Sequence, residues 1–222
     1  MKTLGNEVAS GNEIINAKSN IVKRFFRFLL FILPLLFSST KVTLAHCDTM
    51  DGPVIKDART AIEKNNVNYI LKWIQPENEG ELKDAFSQTM KVRGLSPEAK
   101  TLADKYLFET LVRLHRSGEG LPYTGVKPSG TPVDDKILAA DKSIEIGNLS
   151  PIKDKVSEEM LPELTERFEK VMSLRNYDVN NVKAGREFVE SYVRFFKFAE
   201  GETEEGHHHM DAGTETKAIH LH

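Results

Sequence analysis

The sequence predicts an all-α fold of about six helices packed as one bundle-like domain. Three observations predict it. Apolar residues recur at helical spacing, the alternation of a half-buried strand is missing, and the chain aligns with itself at a shift of 82 residues.

Residues 1–45 are expected to be a cleaved export signal. Lys18, Lys23, Arg24 and Arg27 give a positive leader, residues 28–37 are a short apolar run broken by Pro34, and Thr43-Leu44-Ala45 places small residues at the cleavage positions. A run of that length falls short of the roughly 20 residues a membrane span needs. A retained anchor and lipid attachment at Cys47 are the competing readings, and His46 sits where a lipidated cysteine is ordinarily preceded by a small residue. The expected destination is the periplasm or the outside of the cell, with no membrane attachment after processing.

Residues 46–201 are the predicted helical domain. Losing six of 30 basic and two of 33 acidic residues takes the net charge from −3 to −7. An acidic chain without a basic run is poorly suited to nucleic acid. Ser96-Pro97-Glu98 reads as a helix start, with Ser as N-cap and Pro at the first helical position. Apolar residues follow at 102, 106, 107, 111 and 114. Leu82, Phe86 and Met90 make a second stripe, and Val182, Val189, Tyr192, Val193 and Phe196 a third. Trp73, Phe86 and Phe168 are expected in the core.

The self-alignment divides this domain into repeats of about 52–120 and 134–201. Ile62-Glu63 pairs with Ile144-Glu145, Asn66 with Asn148, Ile70 with Ile152, and Glu77 with Glu159. Glu81-Leu82 pairs with Glu163-Leu164, Phe86 with Phe168, Met90 with Met172, and Arg93 with Arg175. The next helix matches at a shift of 81: Ala103 with Ala184, Glu109 with Glu190, Val112-Arg113 with Val193-Arg194, and Glu119-Gly120 with Glu200-Gly201. A deletion at a turn between helices is the cheapest place for the lost residue. A tandem duplication of a three-helix unit is therefore expected. Residues 118–133 join the halves, and their glycines and prolines predict an irregular surface loop. Residues 202–222 lose apolar periodicity and read as a disordered, His-rich tail.

The candidate chemistry lies at the new N-terminus. Cleavage after Ala45 would free the α-amine of His46 beside its imidazole, next to the amide and thiol of Cys47. Amine, amide and thiolate form fused chelate rings suited to Ni(II) or Cu(II), and Asp48 or Asp51 could add an oxygen. His46, Cys47, Asp48 and Asp51 are thus the candidate metal ligands. Cys47 is the single cysteine, so an intramolecular disulfide is excluded. Passive burial of Cys47 and a redox or intermolecular thiol are the alternatives. His207, His208 and His209 offer a second, looser set for Ni, Cu or Zn.

His46-Cys47-Asp48-Thr49-Met50-Asp51-Gly52 resembles the nickel hook of nickel superoxide dismutase, an all-helical secreted enzyme. That resemblance implies amine and imidazole donors at His46, and amide and thiolate donors at Cys47. The family carries a second cysteine where this chain has Asp51, and a tyrosine where it has Val54, which disfavours dismutase activity. A wider resemblance, through His46–Pro53, Phe108–Arg116 and Gly118–Gly125, is to an uncharacterised family of exported bacterial proteins. It implies no activity.

Other groups carry weaker expectations. Glu109 and Arg113 are expected to pair on the surface, as are Glu190 and Arg194. His115 aligns with Phe196, so it differs between the halves. A histidine favouring a helix C-terminus is its plainest reading, and Tyr123 could border a pocket. No Ser/His/Asp or Cys/His motif with recognisable local context and no phosphate loop is found, and residues 46–201 hold no Glu-x-x-His pair. Two functions are carried forward: metal handling or redox chemistry at the N-terminus, and a non-enzymatic scaffold that binds a ligand or partner. Self-association and a periplasmic protein partner both stay open.

Overall fold

The computed structural model describes residues 46–201. The expected export signal, the His-rich tail and His207, His208 and His209 lie outside the described residues. Within them the fold is all-α, and the one piece of extended pairing is an isolated bridge between Thr49 and Lys127.

Six long helices and two four-residue helices form the domain. In the first half these are α1 (Pro53–Lys64), α2 (Asn68–Leu71), α3 (Glu79–Val92) and α4 (Pro97–Gly118). In the second they are α5 (Asp135–Ile146), α6 (Ser150–Lys153), α7 (Leu161–Leu174) and α8 (Val182–Glu200). A short 3-10 turn precedes α3 at Pro76–Asn78 and α7 at Glu158–Met160. The bounds of α1, α2, the turn and α3 all recur 82 residues later, the spacing at which the sequence aligns with itself.

Local chemistry sets these boundaries. Ser96 Oγ accepts the Ala99 N–H at 3.1 Å and Pro97 opens α4, as the sequence predicts. Asp134 and Asn181 cap α5 and α8 in the same way. α1 ends on Asn65 at φ 48°, and α5 ends on Gly147 at φ 69°. These residues occupy matching places in the halves, and each turns the chain through the left-handed region that Gly and Asn tolerate.

In each half the last two long helices pack as a hairpin, and the first long helix packs against the last. Thr89 Oγ1 donates to the Ala103 carbonyl at 3.2 Å across the first hairpin, and Arg93 forks onto Asp104 at 2.9 and 3.3 Å. Phe168 and Phe195 meet at 5.8 Å across the second. Trp73, Phe86 and Phe168 are buried as expected, as are Leu107, Leu111 and Leu114. Leu102 and Tyr106 are not, being 71% and 48% exposed. The buried stripe of α4 runs through Ala103, Leu107 and Leu111, so positions 102 and 106 fall beyond its edge.

The expected surface pairs divide. Arg194 bonds Glu190 at 2.9 Å. Arg113 instead reaches Glu81 on α3, because the hairpin brings that carboxylate over the guanidinium.

Two cations, Lys72 with its side chain withdrawn from solvent and Arg186 half-buried, clamp the halves together. Lys72 lies 3.0 Å from Asp57, donates to the Tyr177 hydroxyl at 2.6 Å, and faces the rings of Trp73, Tyr177 and Phe188 at 5.4–5.6 Å. Burial disfavours its charge, yet Asp57 and Tyr177 outweigh that and hold its pKa above the ordinary lysine value. Arg186 donates to the carbonyls of Ile74 and Leu71 and bonds Glu79 at 2.6 Å. Gly185 admits this approach: a Cβ there would lie 3.1 Å from both Lys72 and Tyr177.

Candidate functional site

The segment before α1 is part of the interior. His46, Cys47, Asp48 and Thr49 are 8%, 7%, 3% and 2% exposed, so four consecutive residues of a non-helical stretch are packed inside. Two overlapping turns make this possible: Thr49 N–H and Oγ1 both donate to the His46 carbonyl, and Gly52 N–H donates to that of Thr49. A Cβ at Gly52 would overlap the His46 carbonyl oxygen. Only glycine lets the chain close here before Pro53 starts α1.

The inter-half loop holds the segment down. Met50 N–H donates to the Lys127 carbonyl at 2.9 Å, and Lys127 N–H donates to that of Asp48 at 2.8 Å. Asp51 accepts the Gly130 N–H at 2.8 Å and the Ser129 hydroxyl at 2.7 Å. The Gly130 amide and then the Ser129 hydroxyl hold its carboxyl below the ordinary value. Asp51 is thereby spent on fastening the loop from the surface side, and is not gathered with the buried His46, Cys47 and Asp48.

Below the segment lie groups from three helices. His46 Nε2 bonds Asp141 on α5, and Asp141 also accepts the Tyr192 hydroxyl of α8 at 2.6 Å. Asp48 Oδ2 sits 3.4 Å from the Arg116 Nε of α4. Arg116 also reaches Glu119 at 3.4 Å. His115 Nδ1 is 2.9 Å from the Trp73 carbonyl, its ring meets Trp73 edge-on at 5.8 Å, and its Nε2 lies 3.6 Å from Glu119. His115 lies in the last turn of α4, as the sequence predicts, with its side chain buried and a carbonyl as partner.

The arrangement has a recurring pattern. One atom of each of three buried side chains is held by the protein, while another has no hydrogen-bond partner. These bare atoms are His46 Nδ1, Asp48 Oδ1 and His115 Nε2, and Arg116 Nε and the Tyr123 hydroxyl join them. Burial pushes the Cys47 thiol well up, with Glu119, Asp48 and Asp141 adding to the rise and Arg116 opposing it. Burial likewise raises Asp48 to about 6, against the pull of Arg116 and His115. Among the described residues, no group of three or more His, Cys, Asp and Glu side chains is placed to hold a metal ion.

The sequence gives Asp141, Tyr192 and Glu119 no part in a site. Asp141 aligns with Arg59 and Tyr192 with Leu111, and this mismatch between halves is the one trace they leave. The same trace marks His115.

Fold and site together define an all-α domain with a buried polar centre closed by its own N-terminal segment. Residues 51–198 match the family of unknown function DUF6448, and the chain belongs to that family. No curated protein and no solved structure matches the chain. None of the described helices is long and apolar enough to cross a membrane.

Proposed function

We propose that this chain is an exported helical protein that binds one transition metal ion, Ni or Cu, at the N-terminus created by cleavage after Ala45. Its role is metal handling or redox chemistry at that ion. The observation that supports the reading is the set of bare nitrogen and oxygen atoms beside the buried Cys47. His46 and Asp48 each keep one atom fastened, to Asp141 and Arg116, and one atom bare. Ligands oriented by a second partner in this way are what metal sites use. Cleavage would add the His46 amine, and the Cys47 amide and thiolate complete the chelate. A cation is also what would ionise a thiol that burial otherwise keeps protonated.

Intact mass of the exported protein under native and denaturing conditions tests this. The expected result is a chain starting at His46 that carries about one equivalent of metal. Cys47→Ser, or one alanine added before His46, should abolish the metal. Equal metal content in wild type and Cys47→Ser would overturn it.

The competing reading is a scaffold that binds a partner, and the exposed Val92, Leu95, Leu102 and Tyr106 around the α3–α4 turn favour it. On that reading Cys47→Ser is silent, and Leu95→Glu with Leu102→Glu abolishes partner capture.

A further inference from the structure

We infer that a second copy of this chain covers the exposed face of α4, the two α4 helices pairing antiparallel about a twofold axis beside Leu102. This pairing is independent of the metal-binding reading, and it gives the exposed α3–α4 turn one definite occupant.

Four of the six large apolar side chains that stand exposed among the described residues lie at this one place. Val92 closes α3, Leu95 lies in the turn, and Leu102 and Tyr106 follow one helical turn apart on α4. Leu95 and Leu102 are 76% and 71% exposed. Apolar clusters of this kind mark a surface that something else covers.

The second half serves as a control within the same chain. At the shift of 81 residues that aligns α4 with α8, Leu102 and Tyr106 fall on Lys183 and Glu187, both exposed. The buried stripe stays apolar in both halves, Leu114 matching Phe195. A hairpin of this kind therefore folds with charges at the outer positions, and its own packing does not require the leucine and the tyrosine.

Self-complementarity selects the occupant. A twofold contact needs a surface that fits its own copy. Glu98, Leu102 and Lys105 occupy positions i, i+4 and i+7 of α4, all exposed on one face, with a carboxylate on one side of the leucine and an ammonium on the other. An axis between residues 101 and 102 lies equally far from Glu98 and Lys105. Antiparallel pairing about it brings Leu102 onto its copy, sets Glu98 of each protomer opposite Lys105 of the other, and lays Tyr106 on Pro97. Parallel pairing would set Glu98 against Glu98. Glu98 accepts its own N–H and the Ser96 hydroxyl, and a carboxylate keeps lone pairs for a lysine as well. Unlike charges on either side of an apolar centre fix both the register and the choice of a second copy.

Sedimentation of the processed protein over about 1–500 μM tests the pairing. A monomer–dimer equilibrium is expected, with dimer prevailing at the upper end. The double variant Leu102→Lys/Tyr106→Glu takes the residues of the second half, so it should fold, and its dimer should be weaker by more than about 10-fold. Glu98→Lys and Lys105→Glu should each weaken the dimer, and the two together should restore it. A wild type that stays monomeric throughout overturns the inference, whatever its metal content, and leaves the face to a different partner. A dimer indifferent to Leu102→Lys/Tyr106→Glu overturns it too, as does one that the paired charge reversal fails to restore.

Discussion

His46 and Asp141 meet inside the protein, 95 residues apart in the chain, and their contact fastens the start of the described domain to α5. Because the carboxylate accepts, Nε2 carries the proton, and the bare Nδ1 of the neutral ring carries the lone pair. Asp141 simultaneously receives Tyr192, so one carboxylate ties three segments: the N-terminal stretch, α5 and α8.

Asp141→Ala should release that stretch. It leaves a buried imidazole and a buried hydroxyl without their acceptor, a cost of about 1–3 kcal/mol for each group. The Cys47 thiol, buried in the wild type, should then react faster with a thiol reagent under native conditions. An unchanged labelling rate would show that the segment is held without His46.

Gly52→Ala should destabilise the domain, because the added methyl meets the His46 carbonyl oxygen. Gly80→Ala is the control. Gly80 lies in the first turn of α3, where a Cβ meets nothing within 4 Å, so alanine there should be neutral or stabilise by about 0.5–1 kcal/mol. Urea unfolding of both variants separates the two, and an equally stable Gly52→Ala would refute the close approach.

Asp48 gives the pH dependence. Its pKa rises from 3.8 unfolded to about 6 folded, chiefly through burial. A raised folded pKa means that the contribution to stability is fully present below the unfolded pKa and is lost as pH climbs through the folded one. In metal-free protein Asp48→Asn should therefore match wild type below pH 3.8 and exceed it above pH 6. The gap is at most about 3 kcal/mol, since one pKa unit is about 1.4 kcal/mol. With Ni(II) bound the order should reverse. Parallel stability curves for the two proteins in metal-free buffer would contradict the assignment.

Lys72→Met should loosen the two halves from each other. It strands the Asp57 carboxylate, which retains only the Trp73 indole N–H at 2.6 Å among the bonds described for it. Breaking a buried pair from one side costs about 3–5 kcal/mol, tempered here because Asp57 is a quarter exposed. Hydrogen exchange should speed up on both sides of the Lys72 clamp, and a change confined to the first half would argue against it.

The all-α class and most helix positions were legible because apolar spacing and caps act locally. Ser96-Pro97 starts α4, and the 82-residue spacing places α5, α6 and α7 once α1, α2 and α3 are known. Burial of Cys47 was one of the sequence readings, but the burial of His46, Asp48 and Thr49 with it was not legible. A stretch with two charged or ionisable side chains beside Cys47 reads as exposed until Asp141, Arg116 and Lys127 are known to surround it. Asp51 is a second case: its place in the hook-like motif says nothing of Ser129 and Gly130, 78 and 79 residues on, whose hydroxyl and N–H it accepts. Long-range partners decide both cases, and helical periodicity carries no information about them.

The pairing of Thr49 with Lys127 also sets a time scale. Residues 48–51 can part from residues 127–130 only by breaking two backbone hydrogen bonds and the Asp51 fastening together. Access of solvent to the buried Cys47 by this route would then follow the rate of that local opening.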